Sequence, residues 1–159
     1  GGAACVVPVL SDGKIVLVSQ YRYLRDKISI EFPCGGVEAG EDPRSAAMRE
    51  LFEESGCKVK DIKEIGIFEP ANGYVKDMTH VYLAHVEIVA NPSAEPTGDL
   101  ERLVRTKDEV DQMIRANDIW DGQTLAAWSM VQTYISEEVA KEVNTEDPIL
   151  SRVLRTLFH

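Results

Sequence analysis

The sequence has no apolar run approaching the roughly 20 residues that a helix needs to cross a bilayer, which excludes a membrane-spanning helix. It also lacks the basic start and long apolar stretch of a secretory signal, opening instead on Gly1-Gly2-Ala3-Ala4-Cys5. Cysteine is scarce. Cys5, Cys34 and Cys57 are odd in number and form no Cys-x-x-Cys pair, which makes a poor disulfide framework and a poor zinc site. A reducing compartment, the cytoplasm, is therefore expected. Dense basic runs are missing too: 17 Lys and Arg stand against 27 Asp and Glu, a formal net charge of −10. A protein that neutralises phosphate backbones needs clustered cations, so nucleic acid is excluded as the main partner. No internal repeat, low-complexity tract or domain boundary interrupts the chain. At 159 residues, 44% of them hydrophobic, it suits one domain over 1–159 with a single sizeable core.

The order of elements comes from periodicity and punctuation. Cys5 to Leu10 reads as a strand, Ser11-Asp12-Gly13-Lys14 as a tight turn, and Ile15 to Arg22 as the returning strand of a hairpin. Ile28 to Phe32 is a third, short strand, after which Pro33-Cys34-Gly35-Gly36 reads as a stop and a flexible bend. A helix starts at Asp42, a good N-cap followed by Pro43 at the first helical position, and Gly56 is placed to end it. Strands are expected over 62–68 and 79–89, joined by a loop with Pro70, Asn72 and Gly73. His80 and His85 fall in the second of these and read as sheet residues. A turn-rich loop covers 91–99, a short strand 103–105, and helical patterns 107–116, 121–142 and 147–158. Strands on either side of a helix, followed by terminal helices, give an α/β layered fold with a mixed sheet.

The most informative stretch runs from Gly35 to Cys57. With Glu50 at zero on a wheel turning about 100° per residue, Glu53 falls at about −60° and Glu54 at about +40°. Three carboxylates thus share one arc. Ala47, Leu51, Met48 and Phe52 fall between about 60° and 200° and form the expected apolar face. Like charges at i,i+4 such as Glu50 and Glu54 cost an isolated helix roughly 0.2–0.5 kcal/mol. Arg49 offsets part of this by pairing with Glu53. A divalent cation offsets more, and an oxygen-only donor set suits Mg²⁺ or Mn²⁺ rather than zinc.

Spacing separates this helix from an ordinary acidic one. From Gly35, five residues lead to Glu41, and seven more to Arg49-Glu50-Leu51. Glu53-Glu54, Gly56 and Cys57 complete the pattern. It resembles the Nudix box, Gly-x5-Glu-x7-Arg-Glu-U-x-Glu-Glu-x-Gly-U, where U is an aliphatic residue. Cys57 is the one soft departure, a small buried hydrophobe where Ile, Leu or Val is usual. The resemblance implies an α/β/α sandwich and hydrolysis of a pyrophosphate bond. It implies Glu50 and Glu54 as metal ligands, Glu53 as a ligand directly or through water, and the Cys34 backbone carbonyl as a further one. It implies a supporting role for Glu41 at the start of the helix, an orienting role for Arg49, and backbone roles for Gly35, Gly36 and Gly56.

Val18-Ser19-Gln20-Tyr21-Arg22, Glu31 to Glu38, Pro70 and Asp121 to Ala127 are similar to the ADP-ribose pyrophosphatase branch of that family. This implies a small-molecule nucleotide substrate, ADP-ribose or a related nucleoside diphosphate sugar, with Arg22 on a phosphate. Glu31 either reaches the substrate or pairs locally. Phe68 and Tyr74 either stack on a base or are ordinary buried aromatics, the commoner case. In that branch the base is an acidic residue of a later loop; Glu95, Asp99 and Glu101 compete for the part, with Glu101 preferred alongside Glu53 and Glu54 as catalytic groups. A homodimer is implied as well, although the β-region with which that branch builds swapped dimers precedes the strand on which this sequence starts. Other readings are a hydrolase of dinucleoside polyphosphates and a module that senses ADP-ribose without cleaving it.

Overall fold

The computed structural model describes residues 2–92 and 100–146, with 137–146 as backbone. In chain order come β1 (Ala3–Leu10), β2 (Ile15–Arg22), β3 (Lys27–Glu31), β4 (Cys34–Gly36) and α1 (Pro43–Ser55). They are followed by β5 (Cys57–Phe68), β6 (Thr79–Ile88), β7 (Glu101–Arg105), α2 (Lys107–Arg115) and α3 (Gly122–Glu146). The main sheet order is β3-β2-β1-β6-β5, with β4 on β1 and β7 on β2. Only β1 and β6 run parallel among the paired strands of the described residues, so the sheet is mixed.

Alternation along β1 sorts the core into two layers. Cys5, Val7 and Val9 meet Val110 of α2 and Ala127, Trp128, Val131 and Ile135 of α3. Ala4 and Val6 meet Ala46, Ala47 and Leu51 of α1 on the other face. A strand buried on both sides reads as the continuous apolar run seen at residues 5–10. Helices therefore cover both faces of the sheet, in an α/β/α arrangement.

Three expectations change in the folded chain. Residues 34–36 are not a free bend but β4, paired with β1 at Ala3↔Gly36, Ala4↔Gly35 and Cys5↔Cys34. Two glycines carry no strand signal of their own, and the pairing is supplied by the partner strand. The strand expected over 62–68 starts at Cys57, because Cys57 to Val59 pair with Ile88 to Val86 of β6. Its charged outward residues hide that alternation. On α1, Met48 (38% exposed) and Phe52 (46%) point to solvent, while Ala46, Ala47, Leu51 and Ser55 are buried. The buried arc is thus centred near the carboxylates rather than opposite them. The helix pattern expected over 147–158 lies outside the described residues, as do Glu95 and Asp99.

Candidate active site

Local sequence dictates how α1 is held. Asp42 caps it, accepting from the N–H groups of Arg44 and Ser45, and Pro43 opens the first turn. Gly56 closes it at φ +67°, donating its N–H to Phe52 O at 2.8 Å. A Cβ on Gly56 would also sit 2.2 Å from Ala90 O, so both conformation and space require glycine. Gly35 answers a different need. A Cβ there would lie 2.0 Å from the Glu50 carboxyl carbon, so the box opens on glycine to let that carboxylate rest against β4.

Arg49 gathers the acidic groups. Its Nε and Nη2 donate to the two oxygens of Glu41 at 3.1 and 3.0 Å, and Nη2 also donates to Gly36 O at 3.0 Å. Its Nη1 lies 2.6 Å from Glu50 Oε1 and 3.5 Å from Glu53 Oε2. Glu53 itself is half exposed. Glu54 turns the other way, into the fold, where Cys34 N–H donates to its Oε2 at 3.0 Å. Burial pushes its carboxyl up to about 7, and the charges of Glu50 and Glu31 add to the rise against the pull of the Cys34 N–H and Arg22.

Beside Glu54 opens a cleft of about 480 Å³. Arg22 and Glu31 line it, locked in a two-point ion pair in which Arg22 Nε donates to Glu31 Oε1 at 2.9 Å and Nη2 to Oε2. Glu31 is almost fully buried and Arg22 is nearly half exposed, so the pair presents the guanidinium to the cleft. Glu31 therefore pairs locally, one of its two expected fates. Cys34, Gly35 and Gly36 form the floor, and Cys34 Sγ donates to Gln123 Oε1 at 2.8 Å.

The far wall is unexpected. The β2–β3 hairpin contributes Tyr23, Leu24 and Arg25, and the chain just before α3 contributes Trp120 and Asp121. Arg25 and Lys27 stand 5.8 and 5.0 Å from the Trp120 ring, and the Trp120 indole N–H is buried without a partner. The only trace of this wall in sequence is Trp120 beside Asp121, which caps α3 through Thr124.

Glu101, expected as a base, lies at the start of β7 opposite Ser19. Arg102, next to it, reaches Ser55 O and Ala90 O at the end of α1. Glu101 shares instead the parity of Leu103, which packs against the α2–α3 layer. The fold thus unites Arg22, Glu31, Cys34, Gly35, Glu41, Arg49, Glu50, Glu53 and Glu54, but leaves Glu101 on the opposite sheet face. Tyr74 is 96% exposed on the loop 69–78, not a buried aromatic, whereas Phe68 packs against the core. His80 is held in the sheet by Glu64, its Nδ1 2.9 Å from Oε1.

Residues 1–129 match the family model described as NUDIX domain. The chain belongs to the Nudix family. It is 31% identical over 133 residues to the ADP-ribose pyrophosphatase of Bacillus subtilis (strain 168), covering 82% of this chain and 72% of that protein. It is 35% identical over 135 residues, with the same coverage, to the methanol dehydrogenase activator of Bacillus methanolicus. A crystal structure described as an ADP compounds hydrolase superposes with a TM-score of 0.76 over 86% of this chain and 74% of the other, at 20% identity. That likeness shows the fold. The protein is thus a Nudix pyrophosphohydrolase, similar to the ADP-ribose pyrophosphatases.

Nudix hydrolases generally need divalent metal ions, and the donor chemistry of α1 fits such an ion. Glu50, Glu53 and Glu54 offer only carboxylate oxygens, which suit a hard dication. The Glu54 carboxyl is raised mainly by its burial and only secondarily by the charges of Glu50 and Glu31. Among the described residues no three acidic, histidine or cysteine side chains already converge on one point. Glu50 is turned toward Arg49 instead.

Proposed function

We propose that this Nudix hydrolase cleaves the pyrophosphate bond of ADP-ribose or a related nucleoside diphosphate sugar, with Mg²⁺ as its cofactor and Mn²⁺ as a substitute. The observation that carries the reading is similarity to an ADP-ribose pyrophosphatase over 133 residues, far beyond the box itself. The products are a nucleoside monophosphate and a sugar phosphate. Glu50, Glu53, Glu54 and the Cys34 backbone carbonyl would hold the ion. When bound, it polarises the phosphoryl oxygens and lowers the pKa of water.

The chain's own groups perform the rest. Arg22 has N–H donors beyond the two given to Glu31, and with them it grips a phosphate in the cleft. Glu31 is a positioning residue that holds the guanidinium in one orientation. Glu54 Oε1, free of the Cys34 N–H that occupies Oε2, takes a proton from the attacking water. Arg49 keeps Glu50 and Glu53 on the same side of α1. The cations on the hairpin and Trp120 face the remainder of the nucleotide.

Incubation with ADP-ribose, nucleotide sugars and dinucleoside polyphosphates in Mg²⁺, with products separated by chromatography, tests the proposal. AMP and ribose 5-phosphate from ADP-ribose, lost on adding a chelator, are expected. Cleavage confined to dinucleoside polyphosphates would replace the substrate, and binding of ADP-ribose without cleavage would make the chain a sensor. A second reading follows the 35% identical relative: an accessory role toward a dehydrogenase. It requires that adding the chain raise the rate of a purified methanol dehydrogenase.

A further inference from the structure

Cys5 and Cys34 stand opposite each other on the antiparallel strands β1 and β4. Their neighbours set the kind of pair they form. Val6 N–H donates to Pro33 O and Val37 N–H to Gly2 O, both at 2.9 Å, so residue pairs 6/33 and 2/37 are the hydrogen-bonded ones. Bonded and unbonded pairs alternate along an antiparallel ladder, which makes 5/34 an unbonded pair. Such pairs hold their Cα atoms about 4.5 Å apart with the side chains at their closest, inside the roughly 4.4–6.8 Å that a disulfide accepts. Both side chains lie in the layer beneath α3. Cys5 is wholly buried, whereas Cys34 lines the cleft and is reached from it. Cys57 belongs to the opposite layer, under α1.

We propose that Cys5 and Cys34 are a reversible disulfide site, closed by a peroxide, that switches off the adjacent Nudix site. Formation of the bond stands on the strand geometry alone; the loss of activity rests on the hydrolase reading above. In the first step the Cys34 sulfur attacks one peroxide oxygen and the O–O bond breaks. A sulfenic acid forms on Cys34, and the thiol proton leaves with the departing hydroxide as water. In the second step the Cys5 sulfur attacks the Cys34 sulfur, the S–O bond breaks, and a second water carries off the Cys5 proton. Two thiols are oxidised and one peroxide is reduced to two waters. A dithiol reverses the bond by exchange.

The consequence follows from what Cys34 holds. Its side chain donates to Gln123 and its backbone N–H to Glu54, while Gly35 beside it seats Glu50. Drawing Cys34 onto Cys5 breaks the Gln123 contact at the start of α3 and re-aims the N–H that orients Glu54. Loss of a hydrogen bond to a charged group corresponds to a drop in turnover of roughly tenfold or more.

The test treats the whole chain with hydrogen peroxide, measures turnover of ADP-ribose on one portion, and on another blocks the remaining thiols with iodoacetamide in denaturant before mass spectrometry of unreduced peptides. The expected result is a Cys5–Cys34 linked peptide lighter by two hydrogens, with Cys57 alkylated and turnover lowered, all restored by dithiothreitol. Cys5→Ala, with Cys5→Val as the alternative if the first is unstable, gives no linked peptide and keeps its turnover under mild peroxide. Cys34 found as sulfinic acid beside an alkylated Cys5, or linked to Cys57 or to a second chain, would overturn the site. A linked peptide with unchanged turnover would overturn the switch. A linked peptide in a protein that hydrolyses nothing even when reduced supports the disulfide and sinks the hydrolase reading instead.

Discussion

The carboxylate helix beside the cleft and the far wall of the cleft are built in opposite ways. The helix comes from one continuous stretch, residues 35–57, in which a glycine, a capped helix and a second glycine place Glu50, Glu53 and Glu54. The cationic and aromatic wall joins a hairpin at residues 21–25 to a tryptophan almost a hundred positions later, across strand pairing that neither segment specifies alone. Chemistry that depends on fixed short spacings is written locally and survives being read as a string. Recognition of the rest of a substrate is assembled by packing, and it shows only when distant segments are brought side by side.

Substitutions on the helix and on the far wall separate these roles. Glu54→Gln is expected to lower turnover by roughly 10²–10⁴-fold, the range for losing a proton-transfer group, with an unchanged circular dichroism spectrum. Near-normal turnover in Mg²⁺ would remove Glu54 from the chemistry. Next in size is a contrast on α1 itself. Leu51→Ala empties a fully buried site and should cost about 2–5 kcal/mol in urea unfolding, whereas Phe52→Ser should change stability by less than about 0.5 kcal/mol. Equal effects would mean that the apolar arc lies where the bare helical wheel puts it.

The third effect is pH-dependent and smaller. Because the Glu54 carboxyl sits at about 7 rather than near 4.5, the folded chain keeps a proton that the unfolded chain releases between those values. Protons bound to the folded state favour it, so this contribution is full below about pH 4.5 and fades as pH rises through about 7. In chelator, unfolding titrations should show on the order of 1–3 kcal/mol lost across that window, and Glu54→Gln should flatten it. A slope that persists in the variant would assign the titration to another group. Smallest is the far wall. Trp120→Ala should raise KM for ADP-ribose by about tenfold with kcat nearly unchanged, the signature of uniform binding. A fall in kcat instead would place Trp120 with the chemistry.

Asp42 and Gly56 mark the ends of α1 because capping is a local preference, and both stand where they were expected. β4 was illegible because Cys34-Gly35-Gly36 has no strand propensity and is a strand only against β1. Glu101 looked eligible as a base by its position after the loop, yet the pleat of β7 sends it to the opposite face from α1. A helical wheel puts Met48 and Phe52 on the buried side because it ranks residues by polarity and does not know where the sheet lies.

The sequence by itself determined the family, the carboxylate helix and its caps, and the layered class of the fold. Each of these depends on spacings of a few residues and on backbone preferences that act within one turn or one strand. Tertiary structure alone decided that α1 buries the arc beside its carboxylates, which raises Glu54. It also decided that Glu31 locks Arg22 toward the cleft, that Trp120 closes the far wall, and that Cys5 meets Cys34. Burial and cross-strand register are properties of pairs of segments, and no single segment carries them.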